Sequence, residues 1–139
     1  MRTFDINKLV RKKVLAMQSY SSARDEFKDF YKDLIFLDAN ENPFENGLNR
    51  YPDPKQKSLK KKLSELKNIR ENQIILGNGS DEAIDLIYRI FCNPKQDNVV
   101  AIAPTYGMYK VCADVNDVEY RSVSLSEDWH LNPKALLAA

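Results

Sequence analysis

Val99, Val100, Ala101, Ile102 and Ala103 form an unbroken apolar run. A strand wet on one face alternates apolar and polar side chains, so such a run belongs to a strand covered on both faces, as in parallel sheets. Both flanks carry helical spacing. Ile84, Ile87 and Phe91 share one face of a helix expected over 81–91, and 106–115 reads as a second helix, weakened by Gly107. Residues 73–76 and 118–123 read as further strands, and Pro133 opens a last helix. Strand, helix, strand, helix, strand calls for the α/β class, an αβα three-layer sandwich with right-handed crossovers.

The front of the chain is less regular. Ile6, Leu9, Val10, Val14 and Met17 predict a short amphipathic helix over 6–17. Residues 18–33 are polar and aromatic without a clean period, a connecting segment or arm. The apolar run 34–37 reads as a short strand. Turn-forming types then dominate 38–54, and an irregular stretch of that length inside a domain is usually functional. A helix follows with Asp53 as its cap, Pro54 at its first position and Gln56 three residues after the cap. Leu59, Leu63 and Leu66 form its expected buried stripe. Lys55, Lys57, Lys60, Lys61, Lys62 and Lys67 form a solvated face.

Composition narrows the function. Lys and Arg number 21 against 20 Asp and Glu, a net charge of +1, which argues against a nucleic-acid module. No apolar stretch approaches the roughly 18 residues of a membrane span, and the N-terminus lacks the apolar region of a secretory signal. A cytoplasmic protein with no membrane partner is expected. Cys92, Cys112 and the single His130 make no metal-ligand cluster, so no metal is expected and the cysteines are read as reduced.

Two turns carry candidate chemistry. Gly77-Asn78-Gly79-Ser80, between an expected strand and helix, has the form of an anion site: glycines bring the backbone close to a ligand, and the first N–H groups of the helix are unpaired. An ordinary tight turn with Ser80 as the helix cap is the other reading. The segment is neither a Walker A loop nor GxGxxG. Asp81 and Glu82 favour the helix dipole but oppose a phosphate, which would need backbone N–H groups and cations from elsewhere. Residues 103–109 lie at the carboxyl end of the 99–103 strand, the ligand edge of open α/β sheets. There Tyr106 either lies against a planar ring or packs into the core. Together the turns suit a ligand with a phosphate at one end and a flat ring at the other; pyridoxal phosphate fits, and so does a nucleotide.

Five stretches in register carry a resemblance: Tyr20-Ser21-Ser22-Ala23-Arg24, Leu37-Asp38-Ala39-Asn40-Glu41-Asn42-Pro43, Arg50-Tyr51-Pro52-Asp53, Gly77-Asn78-Gly79-Ser80-Asp81-Glu82 and Pro104-Thr105-Tyr106-Gly107-Met108-Tyr109. In this order they resemble the N-terminal part of the histidinol-phosphate aminotransferase family, fold-type I pyridoxal-phosphate enzymes of class II aminotransferase type. The resemblance covers essentially the whole chain. It implies an N-terminal helix and arm over 1–36, a substrate and dimer-interface loop over 37–54, and the first part of the cofactor-binding large domain over 55–139.

The resemblance also implies roles. The N–H groups of Ser80 and Asp81, approached closely because of Gly79, would bind the phosphate of pyridoxal 5'-phosphate, and Tyr106 would stack on its ring. Tyr51 would reach the cofactor phosphate of the neighbouring subunit, which implies a homodimer. Tyr20, Asn40, Glu41 and Asn42 would line the substrate side, and Arg24 would be structural. The implied reaction passes an amino group from L-histidinol phosphate to 2-oxoglutarate, in histidine biosynthesis. The family's Schiff-base lysine would lie beyond Ala139, so these residues would hold no catalytic group and the chain alone would be inactive. Lys110 sits on an expected helix with no visible pocket to activate it. Two other readings stand beside this one: a threonine-phosphate decarboxylase or another class II amino-acid aminotransferase, and a non-enzymatic phosphate- or nucleotide-binding domain built on the glycine turn.

Overall fold

The computed structural model describes residues 4–21, 37 and 39–139. Two compact units divide the chain, Met1–Met17 with Gly77–Ala139, and Gln18–Leu76. Residues 34–36 of the expected first strand, Ser22 to Arg24 and Asp38 lie outside the described residues; Leu37 is exposed and in no strand.

The described helices are α1 (Lys12–Leu15), α2 (Lys57–Lys67), α3 (Gly79–Phe91), α4 (Met108–Val115) and α5 (Pro133–Ala138). The strands are β1 (Asn98–Ala103) and β2 (Glu119–Ser124), and they pair in parallel from Asn98 opposite Glu119 to Ala103 opposite Ser124. With α4 crossing between them, β1, α4 and β2 make the βαβ unit that the apolar run predicts, and the fold class is α/β.

Residues 73–76 are not a strand. Glu71–Gln73 is a turn of 3-10 helix and Ile74 is extended, but the described sheet has only β1 and β2. An apolar, extended segment becomes a strand only when a neighbour supplies the other half of the hydrogen-bond ladder.

In the first unit, α3 carries Asp81 and Glu82 in its first turn and Arg89 in its last, matching the helix dipole at both ends. It stops at Cys92, just before Asn93-Pro94, where the proline ring disfavours helical backbone in the preceding residue. Tyr88 on α3 packs with Cys112 and Ala113 on α4, flanked by Ile84, Val99, Met108 and Tyr120. The Tyr88 hydroxyl donates to the Tyr109 carbonyl at 3.1 Å. Asn116 Nδ2 donates to Asp85 Oδ1 at 2.7 Å and to the Cys112 carbonyl at 2.8 Å, tying α3 to the end of α4. The Asn116 bond, with the Arg89 pair, holds the Asp85 carboxyl below the usual carboxylate range.

Ala113 has no exposed surface at all. Ala113→Leu is therefore expected to overpack the α3–α4 contact and cost about 2 kcal/mol, seen as a lower urea midpoint at unchanged slope.

The expected helix over 6–17 is broken in two. Ile6–Lys8 is a 3-10 turn, Arg11 has ψ 135°, and only then does α1 begin. The break lets Arg11 cap the end of α3: its N–H donates to the Ile90 carbonyl at 3.0 Å and Nη1 to the Arg89 carbonyl at 2.7 Å. Those are orphan carbonyls at the negative end of the dipole, where a cation is favoured. Ile6, Leu9 and Met17 stay exposed, so the amphipathic spacing has no buried face behind it.

In the second unit α2 begins at Lys57, later than the proline signal suggests. Pro54 lies in a turn before the helix, and Gln56 precedes the helix in the left-handed conformation at φ 52°. Asp53 still serves as the acceptor: its Oδ1 takes the Lys55 N–H and its Oδ2 the Lys57 N–H, both at 2.9 Å. Those two N–H bonds hold its carboxyl below the usual range. Asn68, left-handed at φ 52°, closes the helix, a conformation asparagine tolerates well. The leucine stripe is not buried; Leu59 and Leu66 are exposed, and no residue of α2 is buried.

Candidate active site

The Gly77–Glu82 segment begins α3 two residues earlier than the spacing suggests, so Gly79 and Ser80 are its first residues. Asn78, not Ser80, is the N-cap, and no side chain caps it. Gly79 has φ +77°, and a Cβ built there meets nothing within 4 Å. Glycine is required by backbone conformation, and open space lies beside it. Gly77 is constrained differently, because a Cβ there would come within 2.8 Å of Glu82 Oε2.

Helix geometry leaves the N–H groups of Gly79, Ser80 and Asp81 without intrahelical acceptors. The Asn78 N–H is taken by Glu82 Oε2 at 2.5 Å. Asp81 is engaged too: the Tyr106 hydroxyl donates to its Oδ1 at 3.0 Å, with Oδ2 at 3.3 Å. Both carboxylates that oppose an anion in the sequence thus have hydrogen-bond donors of their own.

Tyr106 follows the cis Ala103–Pro104 peptide at the carboxyl end of β1. Gly107 is the N-cap of α4 rather than a weak point inside it. The Tyr106 ring meets Tyr109 edge-on, with centroids 6.1 Å apart at 89°. It is 52% exposed while its hydroxyl is anchored on Asp81. The Asp81 carboxylate pushes the Tyr106 hydroxyl pKa up, which keeps it a proton donor.

The second unit holds the other predicted residues. Tyr20 is 92% exposed and in no regular element. Residues 40–52 fold on themselves. Glu41 Oε2 pairs with Arg50 Nη1 at 3.1 Å, and Oε1 accepts the Tyr51 N–H at 2.8 Å. Arg50 Nη2 reaches Glu45 Oε1 at 3.0 Å, which also accepts from Asn49 Nδ2 at 3.0 Å. Asn49 is buried and donates to the Asn42 carbonyl as well, and Asn42 Oδ1 accepts the Phe44 N–H. The bonds from Asn49 and Arg50 lower the Glu45 carboxyl pKa, and the Glu41 and Glu45 bonds raise that of Arg50. An open pocket of about 200 Å³ is lined by Asn40, Glu41, Asn42, Arg50 and Tyr51. Tyr51 is 67% exposed, and its hydroxyl makes no hydrogen bond among the described residues.

No group of three or more acidic, histidine or cysteine side chains suited to a metal occurs among the described residues. Burial pushes the thiols of Cys92 and Cys112 up in pKa, away from the reactive thiolate form. No helix among the described residues is long and apolar enough to cross a membrane.

The family described as aminotransferase class I and II matches residues 31–139. The chain belongs to that family. It is 59% identical over 129 residues to a histidinol-phosphate aminotransferase of Christiangramia forsetii, covering 93% of this chain and 37% of the relative. Proteins of the same description from Flavobacterium psychrophilum and Bacteroides thetaiotaomicron are 55% and 56% identical, over 99% and 96% of this chain and 40% and 38% of theirs. The chain thus spans about two-fifths of the length of the curated relatives it matches. Within this class I and II aminotransferase, both ligand-edge turns fall in the matched span, as do Asn40, Glu41, Asn42 and Tyr51.

Two partners escaped the sequence reading. Asp81 reads as a backbone donor to a phosphate whose own charge opposes the anion, yet its carboxylate also anchors Tyr106. Arg50 was only part of a motif, yet it closes the 40–52 loop. The available signal was a glutamate and an arginine on either side of an asparagine-rich loop.

Proposed function

We propose that this chain is the front part of a pyridoxal-phosphate-dependent aminotransferase acting on L-histidinol phosphate and 2-oxoglutarate. The observation that carries the reading is the meeting, in one unit of a class I and II aminotransferase, of the unpaired N–H groups of Gly79, Ser80 and Asp81 with the half-exposed Tyr106 ring. The donor set fits the cofactor: N–H groups at a helix N-terminus suit a phosphate, and open space at Gly79 lets it approach. The tyrosine offers a face to a planar ring.

In this reading Ser80 and Asp81 hold the phosphate through their backbone, and Tyr106 fixes the ring plane with its hydroxyl anchored on Asp81. The cofactor supplies the electron sink for amino-group transfer. Tyr51 reaches the cofactor phosphate of a second copy, making the working unit a homodimer. Tyr20, Asn40 and Asn42 face the substrate and Glu41 belongs to the same substrate-side loop, with the chain divided at 36/37 and 54/55, and the enzyme works in the cytoplasm. A lysine outside residues 1–139 carries the cofactor.

The full-length protein tests this directly. Adding pyridoxal phosphate is expected to give a visible absorption band, and histidinol phosphate to drive conversion of 2-oxoglutarate into glutamate. Release of carbon dioxide from threonine phosphate without glutamate formation would favour the decarboxylase. Nucleotide binding without any band would favour the non-enzymatic domain.

A further inference from the structure

Among the residues assigned to the substrate side, Glu41 is placed unlike a residue that meets a ligand. Its side chain is only 4% exposed, and its two oxygens are engaged by Arg50 Nη1 and by the Tyr51 N–H. Arg50 is held in turn by Glu45, and Asn49 ties Glu45 to the Asn42 carbonyl. These bonds join the start of the loop, Glu41 and Asn42, to its end, Asn49 to Tyr51. The chain path at Tyr51 is clamped through its backbone N–H while the ring and hydroxyl project free.

From this arrangement we infer that Glu41 is a positioning residue: its carboxylate clasps Arg50 and the Tyr51 N–H, presenting the Tyr51 hydroxyl to the cofactor phosphate, and it does not contact substrate. The inference rests on the proposed function for the role of Tyr51. A loop made of asparagines, prolines and a glycine has no ladder or helix to fix it, and a phosphate contact demands a hydroxyl placed within a few tenths of an ångström. Charge-assisted hydrogen bonds to a buried carboxylate provide that fixity, and ordering the loop in advance removes an entropic cost from binding.

The test uses the full-length protein with Glu41→Ala, Glu41→Gln, Tyr51→Phe and the two double variants. Readouts are pyridoxal-phosphate affinity of the cofactor-free protein, hydrogen exchange at the Tyr51 amide, KM for histidinol phosphate and the thermal midpoint. Glu41→Ala is expected to weaken cofactor binding about tenfold and to speed Tyr51 amide exchange. Glu41→Gln keeps an acceptor for the Tyr51 N–H, so it is expected to lose about threefold and restore most of the protection. Both losses are expected to vanish in the Tyr51→Phe background, because the carboxylate acts through that hydroxyl. If Glu41→Ala does not fold, the Glu41→Gln pair decides alone.

Full additivity with Tyr51→Phe, or a raised KM for histidinol phosphate at unchanged cofactor affinity, overturns the inference and returns Glu41 to the substrate. If Tyr51→Phe weakens cofactor binding and neither Glu41 variant does, the clasp alone fails and the proposed function stands. If Tyr51→Phe leaves cofactor affinity unchanged, the role given to Tyr51 fails, and the inference with it.

Discussion

Residues 1–139 purified by themselves and supplied with pyridoxal phosphate, histidinol phosphate and 2-oxoglutarate are expected to form no glutamate above the buffer rate. Transamination needs a lysine amine made nucleophilic by a desolvating pocket or a cationic neighbour. The described lysines have the opposite surroundings. Lys110 pairs with Asp114 at 2.7 Å and is 61% exposed; Lys95 pairs with Asp117 at 3.3 Å and is 78% exposed. The lysines of α2 lie along a helix with no buried residue. A coupled glutamate assay reads the result, and sustained turnover by the pure chain would sink the proposal. In the full-length protein, peptide mapping after borohydride reduction is expected to find the cofactor on a lysine outside residues 1–139.

Gly79→Val in the full-length enzyme is expected to weaken cofactor binding by about 30-fold, roughly 2 kcal/mol. A β-branched residue at φ +77° is a strained outlier, and the backbone relieves that strain by turning the peptide that carries the Ser80 N–H. Crowding is not the cause, since a Cβ at Gly79 has open space. Gly79→Asn, which tolerates the left-handed region, is therefore expected to lose only a few-fold. Equal losses for valine and asparagine would show that bulk matters and φ does not. Gly77→Ala gives the steric contrast: its Cβ would push Glu82 off the Asn78 N–H, destabilising the turn whether or not cofactor is present.

How much of this was legible in advance depended on how local the cause was. β1, α4 and β2 were readable because an apolar run between two helical periods matches a parallel βαβ unit; the expected cover on both faces is not met, for no residue of β1 is buried and Val100 is 37% exposed. The glycine turn and Tyr106 were readable as a ligand edge because both flank such elements. Asp53 was readable as an acceptor for the start of α2. The position of that start was not, because Pro54 suits a turn as well as a first helical residue.

The misses share a physical reason. Residues 73–76 carry strand-like side chains, but a strand is a property of two segments, and no partner is bonded to them among the described residues. The spacing over 6–17 is helical, yet Arg11 leaves the helix to satisfy carbonyls of Arg89 and Ile90, far away in the chain. Glu41 reads as a substrate-side residue of a polar loop, and nothing local in the sequence shows that Arg50 and the Tyr51 N–H close on it.

The amino-acid sequence by itself determined the α/β order, the glycine at a left-handed helix start and the tyrosine at the end of β1, because each depends on the conformational preferences of a few neighbouring residues. The tertiary structure alone decided which carboxylate meets which donor. Asp81 anchors Tyr106 across 25 positions, and Arg50 reaches back to Glu41 across nine. Hydrogen bonds between distant segments depend on where the folded backbone brings their ends, and no local pattern records that.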